Sequence, residues 1–244
     1  MKTKPLHLFL FVFVSGAFQT AYPYLFTDDF NDGNLEGWIE KQGNWTNPGN
    51  YLLSSYDQYG VIWKADSFGF TQYLEIEAFF EPGSYTKTAQ LILRGGVSQW
   101  GFNRYYDHAY RLQIQENDLN VFNTTAPGQH HHLGNLDDLD LPMSQWTKIG
   151  FGVSGLGSET RLQVWINDEL RLDVFDTTGL SHDDGGYLGL GSSNHINRYM
   201  KYDNAHGRVD EPIIPETRKI GSLGMFLLGL YLGCRIPFVR QILH

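Results

Sequence analysis

Short apolar runs separated by turn residues fill the sequence from Tyr51 to Phe175, and this pattern restricts the fold more than any other feature. The runs have the lengths typical of β-strands, and Gly, Asn, Asp and Pro clusters lie between them. No part of this region has the periodicity of a long amphipathic helix. For a chain of 244 residues, the pattern predicts one all-β domain built as an antiparallel sandwich of two sheets.

Alternation within the runs predicts individual strands. The clearest hairpin covers residues 161–175, where Leu162, Val164 and Ile166 should face inward and Asn167-Asp168 supplies a turn that tolerates positive φ. Leu170, Leu172 and Val174 are expected to continue the inward face. The polar segment 129–142, rich in Asp and His, is predicted to be a long surface loop. Strands are expected at 51–55, 61–64, 73–80, 89–94, 110–115, 119–123, 148–154, 161–166 and 170–175.

The segment 185–209 contains two further predicted strands joined by a polar loop. Its glycines lie between Tyr187, Leu188 and Leu190, where missing side chains let a strand bend or pack closely. The second strand carries an acidic and aromatic stretch like the one at 26–30 near the start of the chain. We therefore expect the first and last strands to pair and to close the domain.

Several motifs in this order carry a resemblance to a known superfamily. They are DDFNDGNLEGW at 28–38, GNYL at 49–52, LILRGG at 91–96, VWINDELRLDVFD at 164–176 and GYLGLGSS followed by KYDNAHGRV at 186–209. Together they resemble the concanavalin A-like jelly-roll superfamily, and within it laminin G-like and 3-keto-disaccharide hydrolase-like domains. The resemblance spans residues 26–210 and implies a two-sheet jelly roll. Because the superfamily includes lectins, glycanases and modules without an assigned activity, it does not decide the function.

Charge and cysteine content exclude some classes of partner. The net charge is -9 and the isoelectric point about 5.4, which argues against nucleic acid and anionic membrane surfaces as partners. A neutral sugar or a cation is easier to accommodate. The single cysteine, Cys234, lies near the C-terminus, so no disulfide is expected in the globular part.

The first 21 residues have the layout of a secretory signal peptide. Lys2 and Lys4 precede the apolar run 8–14, and small residues follow it, with possible cleavage after Ala17 or Ala21. An uncleaved anchor helix is the alternative, although the run is too short to span a bilayer. We expect an exported bacterial protein with a jelly-roll domain at 22–210, located in the cell envelope or outside the cell.

Residues 211–244 form a linker and a hydrophobic tail. The apolar run 220–234 is flanked by basic residues and follows Pro215-Glu216-Thr217. This arrangement resembles PEP-CTERM sorting tails, with Thr217 in place of the second proline. The resemblance implies a C-terminal hydrophobic helix that contacts the membrane or a sorting machinery. An amphipathic tail helix is the alternative.

One predicted strand carries candidate catalytic carboxylates. Glu75, Glu77 and Glu81 fall on one face at a period of two, and paired carboxylates are what glycan hydrolysis requires. The strand resembles the catalytic strand of family-16 glycoside hydrolases but lacks the aspartate between two glutamates. A solvated outer strand face is the favoured alternative. We therefore expect a non-catalytic glycan-binding module, with a glycan hydrolase or a purely structural surface domain as alternatives.

Aromatic and polar side chains are candidates for the glycan site, because sugars stack on rings and need fixed hydrogen-bonding groups. The segment 95–106 is the best candidate, being loop-like and rich in rings. Each single aromatic residue could instead belong to the core. The expected ligand-binding residues are Arg94, Trp100, Tyr105, Tyr106 and Trp165.

The resemblance also implies a structural calcium ion between the first and last strands. The matching positions are Asp203 as the carboxylate ligand, with the backbone of Gly49 and the region of Asp29. The alternative is that Asp203 only caps its strand or pairs with a nearby donor. His130, His131 and His132 are expected to form part of a solvated loop, because consecutive residues on an extended loop point in different directions.

Overall fold

A computed structural model describes residues 25–54, 60–81, 88–96, 108–115, 117–126, 129–193 and 200–209. The expected signal peptide, the C-terminal tail and the candidate residues Trp100, Tyr105 and Tyr106 lie outside these residues. The strands are β1 (Phe26–Asp28), β2 (Trp38–Gln42), β3 (Trp45–Thr46), β4 (Leu52–Ser54), β5 (Gly60–Phe68), β6 (Gln72–Phe79), β7 (Thr88–Gly95), β8 (Ala109–Ile114), β9 (Asp118–Ala126), β10 (Gln129–Asp137), β11 (Trp146–Ser154), β12 (Arg161–Ile166), β13 (Glu169–Phe175), β14 (Gly186–Ser193) and β15 (Lys201–Val209).

The strands form two antiparallel sheets that pack face to face. Sheet 1 has the order β13-β12-β11-β6-β15-β4-β3, with β1 also paired to β15. Sheet 2 has the order β10-β9-β8-β7-β14-β5-β2. Alternate side chains of both sheets fill one core, as Leu74 and Ile76 of β6 and Leu91 and Leu93 of β7 illustrate. The predicted all-β sandwich is confirmed.

The first and last strands pair as the sequence predicts. Phe26 lies opposite Gly207, and Asp28 lies opposite Ala205. A side-chain carbon at position 207 would collide with the Phe26 ring, so glycine lets the two strands approach. The neighbour of β15 on its other side is β6, in the centre of sheet 1.

The hairpin of β12 and β13 follows the prediction except at one residue. Asn167 and Asp168 have φ values of 51° and 67°, and the inward side chains of β12 are buried. Leu170, however, is 37% exposed. A register shift between Val164 and Trp165 places Leu170 opposite Trp165, on the outer face, so the expected inward position of Leu170 is wrong.

The expected loop at 129–142 is wrong for its first nine residues, because Gln129–Asp137 form β10 at the edge of sheet 2, whereas residues 138–142 lie outside any strand as predicted. Strand β10 pairs with β9 along its whole length. Gln129 lies opposite Ala126 at one end, and Asp137 lies opposite Asp118 at the other. The first four side chains are exposed, and Gly134 packs against Val174 of β13. Edge strands are commonly polar, and this polarity explains why the segment has the composition of a loop.

The described residues contain no α-helix, and the only helical turn among them is the 3₁₀ turn Gly157–Glu159. In this part of the chain, no helix is long and apolar enough to cross a membrane.

Candidate functional site

The outer face of sheet 1 is richest in candidate functional side chains along β6. Leu74, Ile76 and Ala78 point into the core, so the residues between them point outward. We call the outward side chains of β6, those opposite them on β11 and β15, and Trp165 of β12 next to Gly150 the β6 face. Its members with side chains are Tyr73, Glu75, Glu77, Phe79, Trp146, Lys148, Trp165, Lys201, Asp203, His206 and Arg208.

A glycine of β11 brings the aromatic and acidic parts of this face together. Gly150 lies between Trp165 of β12 and Glu75 of β6 in the strand register. A side-chain carbon at position 150 would lie 2.5 Å from the Tyr73 hydroxyl, so Tyr73 leans across the backbone of this glycine. The rings of Tyr73 and Trp165 meet edge to face, with centroids 5.5 Å apart. Gly150 thus makes room for an aromatic pair next to a carboxylate.

Glu75 is buried on this face, with only 6% of its surface exposed. The Tyr73 hydroxyl donates to Glu75 Oε2 at 2.8 Å, and Lys148 Nζ lies 3.2 Å from Oε1. Lys148 Nζ also lies 2.8 Å from Asp168. The favoured expectation of a solvated strand face therefore fails for Glu75, which is held by a cation and a hydroxyl as buried charges require.

The protonation of Lys148 follows from these contacts. Burial alone would lower the pKa of its ammonium group, but hydrogen bonds and charge interactions with Asp168 and Glu75 outweigh this effect and raise the pKa. Lys148 thus keeps its positive charge beside the carboxylate of Glu75.

A second aromatic pair lies at the other end of the β6 face. The rings of Phe79 and Trp146 meet with centroids 5.4 Å apart, and Trp146 is 38% exposed. Lys201 Nζ lies 5.0 Å from the Phe79 ring centroid and 3.1 Å from Glu81. Between the two aromatic pairs, Glu77 accepts a hydrogen bond of 2.8 Å from the Asn204 side chain. Along β6 the face thus carries two carboxylates between two rings, and the neighbouring strands β11 and β15 add cations.

The structure separates two of the predicted ligand residues. Trp165 belongs to the β6 face, whereas Arg94 is fully buried at the end of β7 in sheet 2. The Arg94 guanidinium donates to the carbonyl oxygens of Phe70 at 2.5 Å, Gly155 at 2.6 Å and His182 at 3.3 Å. Three of its five N–H donors bind these carbonyl oxygens, so the structure shows Arg94 anchoring loops, and its expected role in ligand binding stays a prediction.

Asp203, the expected carboxylate ligand for calcium, lies beside a gap in sheet 1. Strand β1 ends at Asp28, opposite Ala205, and β4 begins at Leu52, opposite Tyr202, so Asp203 faces the gap between them. Gly49 precedes β4 by a few residues and has a φ of 107°. Burial raises the pKa of Asp203, and the nearby carboxylates of Glu77, Asp29 and Asp28 raise it further.

The structure thus places Asp29 and Asp203 close enough for their charges to interact. The backbone N–H of Asn204 already donates to Asp203 Oδ1 at 2.8 Å, as the capping alternative predicts. Within the described ranges, no group of three or more His, Cys, Asp and Glu side chains is arranged to hold a metal ion. A cation here would therefore need carbonyl oxygens or water for most of its ligands.

Around Glu75, the sequence missed Tyr73, Lys148, Gly150 and His206 as members of the site. Lys148, Gly150 and His206 are brought there by the pairing of β11 and β15 with β6. Tyr73 precedes Glu75 by two residues on β6 itself, so the spacing of two that marks Glu75 and Glu77 could have found it.

Comparisons with known proteins agree with the sandwich architecture. No protein-family model matches the sequence, and no curated protein sequence matches it significantly. Among solved structures, the carbohydrate-binding module CBM66 from Bacillus subtilis is 16% identical with a TM-score of 0.52, covering 72% of this chain and 97% of its own. The potassium-bound carbohydrate recognition domain of Emp46p is 8% identical with a TM-score of 0.56, covering 76% and 96%. The laminarinase from Rhodothermus marinus is 10% identical with a TM-score of 0.55, covering 76% and 96%.

At these low sequence identities, the similarity to the three proteins shows the fold alone. Each of them matches along more than nine-tenths of its own length, so the similarity extends over whole domains. The described part of the chain is a two-sheet antiparallel β-sandwich, the architecture to which these structures are similar.

Proposed function

We propose that the β6 face binds a glycan. The observation that carries this proposal is the aromatic pair of Tyr73 and Trp165 beside the buried carboxylate of Glu75 and the Lys148 ammonium group. The apolar faces of sugar rings stack on aromatic side chains, and their hydroxyls need polar groups held in fixed positions. Two of the similar folds are a carbohydrate-binding module and a carbohydrate recognition domain, which supports a glycan as the partner.

Glycan hydrolysis is the second candidate, and the spacing of Glu75 and Glu77 favours it. Residues two apart on one strand project to the same face, and glycoside hydrolysis uses a pair of carboxylates on either side of the bond that breaks. The laminarinase has a similar fold. Both carboxylates are already engaged, Glu75 by Tyr73 and Lys148 and Glu77 by Asn204. These contacts favour binding over catalysis.

A panel of purified glycans separates the candidate functions. Retention without product supports binding, release of product supports hydrolysis, and neither result supports a structural surface domain. Under the binding proposal, Glu77→Gln leaves retention intact, because glutamine has the same size and its side-chain oxygen can still accept the hydrogen bond from Asn204. Under the hydrolytic alternative, Glu75→Gln or Glu77→Gln removes product formation while the protein still folds.

Trp165→Ala tests where the glycan binds. We expect affinity for any retained glycan to fall about tenfold, because an aromatic stacking contact contributes about 0.5–1.5 kcal/mol beyond its buried area. The matched control is Phe70→Ala, which removes another exposed ring, in the connection between β5 and β6. Equal affinities for the two variants, measured by isothermal titration calorimetry, would place the site elsewhere.

A structural calcium ion at the gap beside Asp203 is a further part of the proposed function. The gap gathers the Asp203 carboxylate and the region of Asp29, and Gly49 lies just before β4. Calcium takes six to eight oxygen ligands, which carbonyl groups and water can complete. The similar Emp46p domain was solved in a potassium-bound form, so a domain of this fold can hold a cation.

We also propose export to the bacterial cell envelope, on the basis of the two ends of the chain. The charged and apolar start suits a secretory signal peptide, and the tail from Pro215 suits a sorting segment. A fusion truncated after Val209 should then lose envelope retention or processing. Identical localisation and maturation of the truncated and full-length fusions would contradict the role of the tail.

A further inference from the structure

The pairing of β10 with β9 determines the direction in which each of the three consecutive histidine side chains, at 130–132, points. His130 lies opposite Thr124, His131 opposite Asn123 and His132 opposite Phe122, and the register shifts fall on either side of this stretch. Side chains alternate along a strand, so His130 and His132 share one face of sheet 2. His131 points to the opposite side, on which Asn123 bonds the buried Asp176. Both His130 and His132 are exposed to solvent.

Each of the two rings is oriented by an oxygen atom of β9. His132 Nε2 lies 3.0 Å from Asn120 Oδ1, and the Asn120 amide nitrogen donates to Asp118, which fixes the carbonyl side of the amide toward the ring. His132 Nε2 is therefore the donor of this bond, and Nδ1 is the ring nitrogen that remains for a ligand. His130 Nδ1 lies 3.0 Å from the hydroxyl of the buried Thr124, so Nε2 is the nitrogen that faces away from the sheet.

The same surroundings hold the two rings side by side. Both contact the Phe122 ring edge to face, with centroid separations of 6.4 Å for His130 and 5.3 Å for His132. The Arg111 guanidinium packs on that ring, 4.8 Å from its centroid.

We propose that His130 and His132 form a binding site for a divalent transition metal ion such as Cu²⁺ or Ni²⁺. Positions two residues apart on a strand are separated by about 6.6 Å, a gap that two imidazoles can bridge when both bind one ion at about 2 Å. Imidazole nitrogens suit these ions, and an oxygen bonded to the second ring nitrogen is the usual support for a histidine ligand. Water completes the coordination, so the site is open to solvent.

Titration calorimetry of the full chain with CuCl₂ or NiCl₂ at neutral pH tests the proposal. We expect one tight binding event in the wild type and a loss of affinity of about tenfold or more in His130→Ala and in His132→Ala. Even the removal of a group that hydrogen-bonds a ligating histidine lowers metal affinity about tenfold or more, so the removal of the histidine itself should cost at least as much. His131→Ala is the matched control and should bind like the wild type, because its side chain lies on the other face of β10.

Two outcomes would overturn the proposal. If His131→Ala weakens binding as much as the other two variants, the histidines bind as an unstructured run and not as a pair set by the strand. If the wild type and the double variant His130→Ala/His132→Ala bind equally, the metal lies at other residues. A synthetic peptide of residues 129–137 provides an independent check, since the folded chain should bind the ion more tightly than the peptide.

Discussion

Arg94 illustrates how a single residue joins both sheets at one end of the sandwich. It adopts a φ of 50°, and its backbone N–H donates to the Gln72 side chain at 2.6 Å. Its guanidinium binds carbonyl oxygens that follow β5, β11 and β13. Arginine presents several donors in a rigid fork, which one ammonium group cannot reproduce. The side chain thus fixes three connections at once, and this use explains why it is buried.

Arg94→Met should therefore destabilise the domain strongly. The change leaves buried carbonyl groups without donors, each at a cost of about 1–3 kcal/mol, so we expect the free energy of unfolding to fall by about 3 kcal/mol or more. Urea denaturation measures the change. The control Arg171→Met, on edge strand β13, should stay within about 0.5 kcal/mol of the wild type. If the two variants had similar urea midpoints and only Arg94→Met lost glycan affinity, Arg94 would be a ligand-binding residue.

At the scale of elements, a buried polar network holds the connection between β13 and β14. Asp176 accepts hydrogen bonds of 2.7 Å from both the Tyr110 hydroxyl and the Asn123 amide. The Asn123 amide also donates to the Leu180 carbonyl, and its oxygen lies 2.7 Å from His182 Nε2. Because the Asn123 oxygen is an acceptor, His182 Nε2 is the donor of this bond. The connection is thus tied to β8 and β9.

This network predicts a loss of stability in acid. Burial, followed by the nearby His108, lowers the pKa of His182 from its ordinary value of 6.5 to about 4. Between these two values the unfolded chain binds more protons than the folded one. The contribution of neutral His182 to the free energy of unfolding is therefore complete above about pH 6.5 and is lost as the pH falls through 4. The total loss is roughly 3 kcal/mol at most.

Urea denaturation of the wild type and of His182→Gln at several pH values checks this prediction. Glutamine cannot titrate, so the difference in unfolding free energy between the two proteins should shrink as the pH falls. A difference that is constant from neutral pH to about pH 4 would show that His182 titrates normally in the folded protein.

At the scale of the whole molecule, stability depends on the closure between the two ends of the domain. Strand β15 pairs with β1, β4 and β6, and so joins the start of the domain to the centre of sheet 1. Asp203 lies where β1 ends and β4 begins, among the carboxylates of Glu77, Asp28 and Asp29. A cation at this gap would neutralise their mutual repulsion and hold the three strands together.

The melting temperature should therefore rise with millimolar calcium and fall with a chelator. An ion at a hundredfold excess over its dissociation constant adds about 2.7 kcal/mol, or about 5–10 °C for a domain of this size. Asp203→Ala should abolish the response, whereas the exposed Asp66→Ala on β5 should keep it. A melting temperature that ignores both calcium and chelator, or an Asp203→Ala variant that responds fully, would remove this site.

The sequence by itself determined the features that depend on local periodicity. The alternation of Leu162, Val164 and Ile166 and the turn at Asn167-Asp168 predicted the hairpin, because side-chain direction and turn conformation depend on near neighbours in the chain. The similar acidic and aromatic stretches predicted the pairing of β1 with β15. Glu75 and Glu77 could be found from their spacing alone.

Only the tertiary structure decided which residues of different strands lie next to each other. The burial of Glu75 depends on Lys148, which comes from β11, and the separation of Trp165 from Arg94 depends on which sheet each strand joins. Strand β10 was hidden because a polar edge strand has the composition of a loop and acquires its direction only by pairing with β9. Strand register and strand order depend on pairing between segments that are far apart in the chain, so the local sequence of one segment does not determine them.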